Sequence, residues 1–180
     1  MDGQPSLLKQ KDASSHNSLR GYFMSNLAGV LLTRTRTSTE GQEFAVGTVY
    51  RAYDGKQYKY VEFNNGVGNV ASVAGNVCYY YAVSGASAGQ ITIVTMDVTD
   101  SGGVGAGVFQ AVIPDGGFGW IQTKGPATLT TALTAGADGN ALTAIGTTDG
   151  TLDVSALVTD FICAVAIDAS AKIVMLKCPD

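Results

Sequence analysis

Phe44-Ala-Val-Gly-Thr-Val-Tyr-Arg51 leads through Ala52-Tyr53-Asp54-Gly55-Lys56 into Gln57-Tyr-Lys-Tyr-Val-Glu-Phe63. The second half of this stretch is rich in aromatic and β-branched residues, which suit a pleated, half-buried surface. Asp54-Gly55 is turn chemistry, because glycine takes the positive φ that a tight hairpin demands. The pattern predicts a strand over Phe44–Arg51, a turn at Tyr53–Lys56 and a return strand over Gln57–Phe63. Asn64-Asn65-Gly66 ends the hairpin.

The same signals continue along the chain. Val77–Val83 is an apolar run with three consecutive tyrosines, long enough for a strand and short for a helix. Ile91–Val98, Val104–Ile113, Phe118–Lys124 and Ala127–Leu133 are further candidates. Pro114-Asp-Gly-Gly117 is a turn, and Gly125-Pro126 is expected to stop the strand before it. Phe161–Ile167 and Lys172–Cys178 read as a closing hairpin around Asp168–Ala171. Eight or nine short strands with turns between them predict an all-β domain, a β-sandwich or β-barrel. Ala-Leu-Thr-Ala occurs at 132–135 and again at 141–144, too few copies for a solenoid.

Composition agrees with that reading. Charged residues make up 14% of the 180, against a usual value of about 25%. The deficit is filled by glycine (23 residues) and by small and β-branched side chains, not by disorder-promoting ones. A net charge of -4 argues against a general nucleic-acid binder, which needs a basic face. The charge is split: residues 1–60 carry +3 and residues 61–180 carry -7. Two ends of opposite sign suit oppositely charged surfaces, although aspartates also gather in turns for local reasons.

Residues 1–18 read as a solvated tail. From Leu19 to Leu31 the apolar positions Leu19, Tyr22, Phe23, Leu27, Val30 and Leu31 fit one helix face, weakened by Gly21 and Gly29. Thr33–Thr37 alternates like an exposed extended segment. The expected organisation is an extended, partly helical N-terminal arm over 1–43 and a β-domain over 44–180.

Motifs for chemistry are few. The one histidine, His16, lies in the polar tail, so a Ser-His-Asp triad or a histidine-rich metal site would hang on it. Cys78, Cys163 and Cys178 contain no C-x-x-C pair and read as small buried thiols made in a reducing compartment. No apolar run exceeds seven residues, so no membrane helix is expected. Gly66-Val-Gly-Asn-Val-Ala71 matches G-x-G-x-x-A but leads into a turn and a strand, not into the helix that would hold a pyrophosphate. Gly102–Gly107 lacks the Gly-Lys-Ser/Thr ending of a phosphate loop and reads as a close approach of two backbones. The carboxylates sit mostly in Asp-Gly turns, with nothing to pair two of them across a cleft and no EF-hand spacing. The expectation is no enzyme, no catalytic residue, no cofactor and no metal. Trp120, in Gly117-Phe-Gly-Trp-Ile-Gln122, shares a strand face with Phe118, Gln122 and Lys124. It reads either as an interface anchor or as a core tryptophan at a sheet end.

Several stretches together resemble a family of tailed-bacteriophage head proteins, described as capsid decoration, cement or head-fibre proteins. They are Phe44–Thr48 leading to Asp54–Val61, Val104-Gly-Ala-Gly-Val108, Asp115-Gly-Gly-Phe-Gly-Trp-Ile-Gln-Thr-Lys-Gly-Pro-Ala127, and the Ala-, Thr-, Gly- and Asp-rich region up to Gly150. The similarity covers roughly residues 44–178, with Gly-Trp-Ile-Gln and Lys-Gly-Pro-Ala as its most specific part. The resemblance implies a non-enzymatic virion protein made in the host bacterial cytoplasm. Such a protein sits on the outer surface of the capsid, binds the major capsid protein and holds capsomers together, commonly as a homotrimer, with no nucleic-acid or membrane partner. On that reading Leu19, Tyr22, Phe23, Leu27, Arg34 and Arg36 are the expected arm contacts, with Trp120 as a further contact. The alternative is a glycan-binding module of a virion fibre or surface adhesin. It needs an exposed aromatic platform, for which Trp120 and Tyr79–Tyr81 are the candidates.

Overall fold

A computed structural model describes residues 30–82 and 91–179. Among them ten β-strands form one continuous hydrogen-bonded sheet. They are β1 (Val49–Arg51), β2 (Gln57–Phe63), β3 (Val77–Tyr81), β4 (Ile93–Thr95), β5 (Ser101–Phe109), β6 (Phe118–Thr128), β7 (Ala141–Thr143), β8 (Asp153–Val154), β9 (Ile162–Asp168) and β10 (Ile173–Lys177). No α-helix occurs among the described residues. The chain is all-β, as its alternation and turn chemistry predict.

Five strands close on themselves in the order β2-β4-β3-β5-β6 and back to β2. The β2–β4 pair is parallel (Glu62 opposite Ile93), and the other four contacts are antiparallel. Closure removes the open edges of these strands. Val61, Phe63, Cys78, Tyr80, Val94, Met96, Ala106, Phe109, Ile113 and Ile121 fill the barrel. Beyond it the order runs β6-β10-β9-β7-β8. The inner face of this second sheet (Ala127, Leu142, Ala164, Ala166, Val174, Leu176) packs on Val77, Tyr79 and Val108 of the barrel wall. β6 joins the two halves: Phe118–Gln122 pairs with β2, and Lys124–Thr128 pairs with β10.

β2 has the predicted bounds, and Gly55 takes φ +84° in the predicted turn. The first hairpin strand is shorter than predicted. Phe44–Thr48 crosses the barrel wall as an irregular strap, held where Gly47 N–H donates to Tyr60 O (2.7 Å) and Tyr60 N–H donates to Thr48 O (2.9 Å). The strand predicted over Ile91–Val98 ends at Thr95. Asp97 caps a 3-10 turn over Val98–Asp100 by accepting from Thr99 N–H at 2.9 Å, a local bond that competes with the ladder. The glycine tract of β5 is a close approach, as read: a Cβ on Gly105 would sit 2.7 Å from Cys163 Sγ, and one on Gly107 would run into the Gln122 carbonyl oxygen.

Gly125-Pro126 does not stop β6, which corrects the expected break. Pro126 stands opposite Met175 on β10. Its missing N–H falls on the side where pairing with β5 has already ended at Gln122, so no ladder bond is lost. On that side the Gln122 side chain donates to the carbonyls of Lys124 (3.1 Å) and Pro126 (2.9 Å). The two Ala-Leu-Thr-Ala strings diverge: 141–143 is strand β7, while 132–135 is a loop that rests Leu133 on the same core as Leu142. Leu32–Asp180 forms one compact unit. Residues 32–43 therefore group with the β-domain, although a boundary at 43/44 was expected.

Candidate partner-binding surface

Of the seven residues predicted to contact a partner, Leu19, Tyr22, Phe23 and Leu27 lie outside the described residues. The structure brings Arg34, Arg36 and Trp120 to one wall of the barrel.

The wall is built on the outward faces of β2 and β6. Tyr58 stands opposite Gln122 and Tyr60 opposite Trp120. Such cross-strand pairs let large rings meet. Tyr60 and Trp120 centroids are 5.2 Å apart, and Phe44 of the strap lies edge-on to both, at 5.4 and 5.2 Å. Tyr50 stacks on Tyr58 at 6.2 Å, and Phe118 on Tyr60 at 6.4 Å. These six rings make a second apolar layer outside the barrel. Trp120 is 2% exposed within it. Of the two readings of Trp120, the core tryptophan is the one the structure bears out. Its ring is covered by its own chain and offers no free surface as an anchor.

The two glycines flanking Phe118 have different neighbours: Gly117 lets the Arg36 backbone approach, and Gly119 makes room for Ile113 of the barrel core. A Cβ on Gly117 would lie 2.5 Å from the Arg36 carbonyl oxygen, and one on Gly119 would lie 2.7 Å from Ile113 Cδ1. Arg36 and Phe118 form an isolated antiparallel bridge, with N–H to O distances of 2.9 and 2.8 Å. Thr37–Glu40 is a local turn in which the Glu40 carboxylate accepts from Thr37 N–H (2.9 Å) and Oγ1 (3.0 Å). The Thr37 bonds, first of all the backbone one, hold the Glu40 carboxyl below its ordinary value. Glu43 then anchors both arginines: its Oε2 is 3.2 Å from Arg34 Nε and 3.5 Å from Arg36 Nε. Glu43 N–H donates to Tyr60 Oη at 3.2 Å. The Arg34 side chain remains 47% exposed, so its guanidinium edge stays available to a partner carboxylate. Gly117, ahead of Phe118, is the sequence signal for the Arg36 crossing.

Lys59 and Pro179, unmarked by any motif, join Tyr80 at one end of the barrel. Lys59 is 2% exposed and points inward, its Nζ donating to Tyr80 Oη at 3.0 Å and lying 5.0 Å from that ring's centroid. Tyr80 Oη in turn donates to Pro179 O at 2.9 Å. A lysine at an inward position of an alternating strand was the available signal. The set is a hydrogen-bonded plug that fastens the C-terminal segment across the barrel.

Most of the candidate glycan platform is buried, and Tyr81 is half-buried. Tyr79 is fully buried, exchanging bonds with Thr151, and Tyr80 is 6% exposed. The turn aspartates serve backbone groups: Asp54 accepts from Lys56 N–H, Asp115 from Asn65 N–H, Asp138 from Ala169 N–H and Asp149 from Val98 N–H. Among the described residues no group of three His, Cys, Asp or Glu is arranged to hold a metal ion, and no helix is long and apolar enough to cross a membrane. No family model matches the chain, and no curated protein or solved structure matches it either.

Proposed function

We propose that this chain is a non-enzymatic structural protein of a virion, which binds the outer surface of a tailed-phage head and stabilises contacts between capsomers. The observation that supports it most is the Arg36–Phe118 bridge. It ties the root of the N-terminal arm into β6, the strand shared by the closed barrel and the second sheet. Tension on an arm bound to a capsid subunit would then pass through the two bonds of this bridge into β6 and not into a free loop. The composition supports the same reading. A surface poor in long charged side chains loses little rotamer freedom when neighbours bury it. The resemblance to decoration proteins supplies the partner class, the major capsid protein, and the expectation of a homotrimer.

The test is co-sedimentation with undecorated heads. The full chain is expected to bind. A truncation beginning at Leu32 keeps Arg34, Arg36 and the strap, and is expected to fold without binding. Normal occupancy by that truncation would sink the assignment of attachment to the arm.

A further inference from the structure

The outer face of the second sheet lacks the polar character that a solvent-facing side normally shows. Its inner face is set by the buried residues Ala127, Leu142, Ala164, Ala166, Val174 and Leu176, so the alternate positions point away from the core. Register places Pro126, Met175, Val165 and Ala141 in one row across β6, β10, β9 and β7. Thr128 and Ile173 flank that row, and Ile167 is 45% exposed beside them. Within these rows the charges stand at the two ends of the strip, and Lys56 lies at its β6 margin beside Pro126, Thr128 and Ile173. Lys177 lies opposite Lys124 at one end, and Asp168 lies opposite Ile173 at the other. Asp138 sits beside the Asp168 end, bonded to Ala169 N–H, while Lys172 at that end turns its Nζ back onto Thr130 O at 2.8 Å. Lys124 and Lys177 are two of the three cations that follow residue 60.

From this arrangement we propose that the outer face of β6-β10-β9-β7 packs on the same face of a second copy of this chain, with the strands of the two copies reversed. An apolar strip with a basic end and an acidic end is complementary to itself under one two-fold axis only, the one lying in the interface across the strands. That axis sets Lys177 of each copy over Asp168 of the other. The parallel alternative would set lysine on lysine. Four strands and five residues give a strip of about 19 by 17 Å. Doubled, that is below the roughly 1,200 Å² of a stable pair. The contact is therefore weak alone and is strengthened where many copies are held side by side. It goes beyond the proposed function and does not rest on it, and a two-fold contact is distinct from the three-fold association that the resemblance implies.

Sedimentation equilibrium of the full chain, from about 10 µM to about 1 mM, tests it; a weak pair dissociates within that range. Wild type is expected to show a monomer–dimer equilibrium superimposed on any trimer. Met175→Glu and Met175→Lys, each alone, should weaken the pairing about tenfold or more, because each buries like charges near the axis. An equimolar mixture of the two should restore it as a heterodimer, which also shows that both variants are folded. Lys177→Glu should weaken pairing, and Asp168→Asn, which keeps the turn acceptor, should weaken it less. Wild type without a two-fold species at the highest concentration would overturn the proposal, as would pairing indifferent to Met175→Glu. A face covered instead by residues 1–29 of the same chain or by a capsid subunit would give the first of these results.

Discussion

Arg36 and Phe118, 82 residues apart in sequence, exchange both backbone hydrogen bonds of an antiparallel bridge. Phe118 opens β6, and β6 touches β2, β5 and β10. One pair of residues thus connects the end of the N-terminal segment to the strand on which the whole sheet depends. Gly117, next to Phe118, leaves the room for it.

The closeness of β5 to β6 makes Gly107 intolerant. An added Cβ meets the Gln122 carbonyl, a backbone atom that cannot move without opening the barrel. Gly107→Ala is expected to destabilise the chain by about 1–3 kcal/mol, the range typical of overpacking. Urea unfolding checks it. An unchanged midpoint would mean that the barrel is not closed at this seam.

Phe44 lies on Trp120 and Tyr60 without being fully buried. Phe44→Ala is expected to cost about 1–3 kcal/mol, less than for a fully enclosed ring. The chain has a single tryptophan, so its emission reports this layer alone. A red shift is expected in the folded variant as water reaches Trp120. Unchanged emission would contradict the lid role of the strap.

Acid should weaken the fold through its turn carboxylates. The Thr99 hydroxyl bond holds Asp97 below the ordinary 3.8, the Leu157 N–H does so for Asp160, and the Ala171 N–H does so for Asp168. A carboxyl with a lowered folded pKa stabilises the native state above its unfolded value and loses that contribution as pH falls through the folded value. Stability should therefore hold from neutral pH to about 5 and decline below about 4. Asp97→Asn should flatten that decline. At the other extreme, burial raises the Tyr79 phenol well above 10, so the chain should weaken as pH rises past 10, where the unfolded phenol ionises. Urea midpoints across pH test both limbs. A midpoint flat down to pH 3 would contradict the first.

Burial also pushes the Cys78 thiol up, and the Cys163 contact followed by burial pushes Cys178 up. All three cysteines are buried. They should resist alkylation by iodoacetamide in the native state and react on unfolding, because the thiolate is the nucleophile. Mass spectrometry counts the adducts, and a labelled native thiol would contradict the burial.

Much of the sheet is legible in the sequence, for identifiable reasons. Gln57–Phe63 has seven residues of β chemistry behind an Asp-Gly turn, and nothing competes with that reading. β7 and β8 span three and two residues, too short to carry a period of two. Barrel closure rests on the parallel β2–β4 pair, whose partners are about thirty residues apart and leave no local mark. Pro126 misleads because its cost depends on which side of β6 is paired, a tertiary fact. Trp120 reads as either surface or core until Phe44 is seen to cover it. Arg34 and Arg36 read as arm contacts; that both also meet Glu43 is a tertiary fact with no local pattern to mark it.

The most direct test of the account is a map of undecorated heads incubated with the full chain. The account predicts ordered, saturable density for the β-domain on the outside of the shell, at symmetry-related positions that bridge neighbouring capsomers. The density should be absent when the chain begins at Leu32. Bare heads at saturating full chain would contradict it.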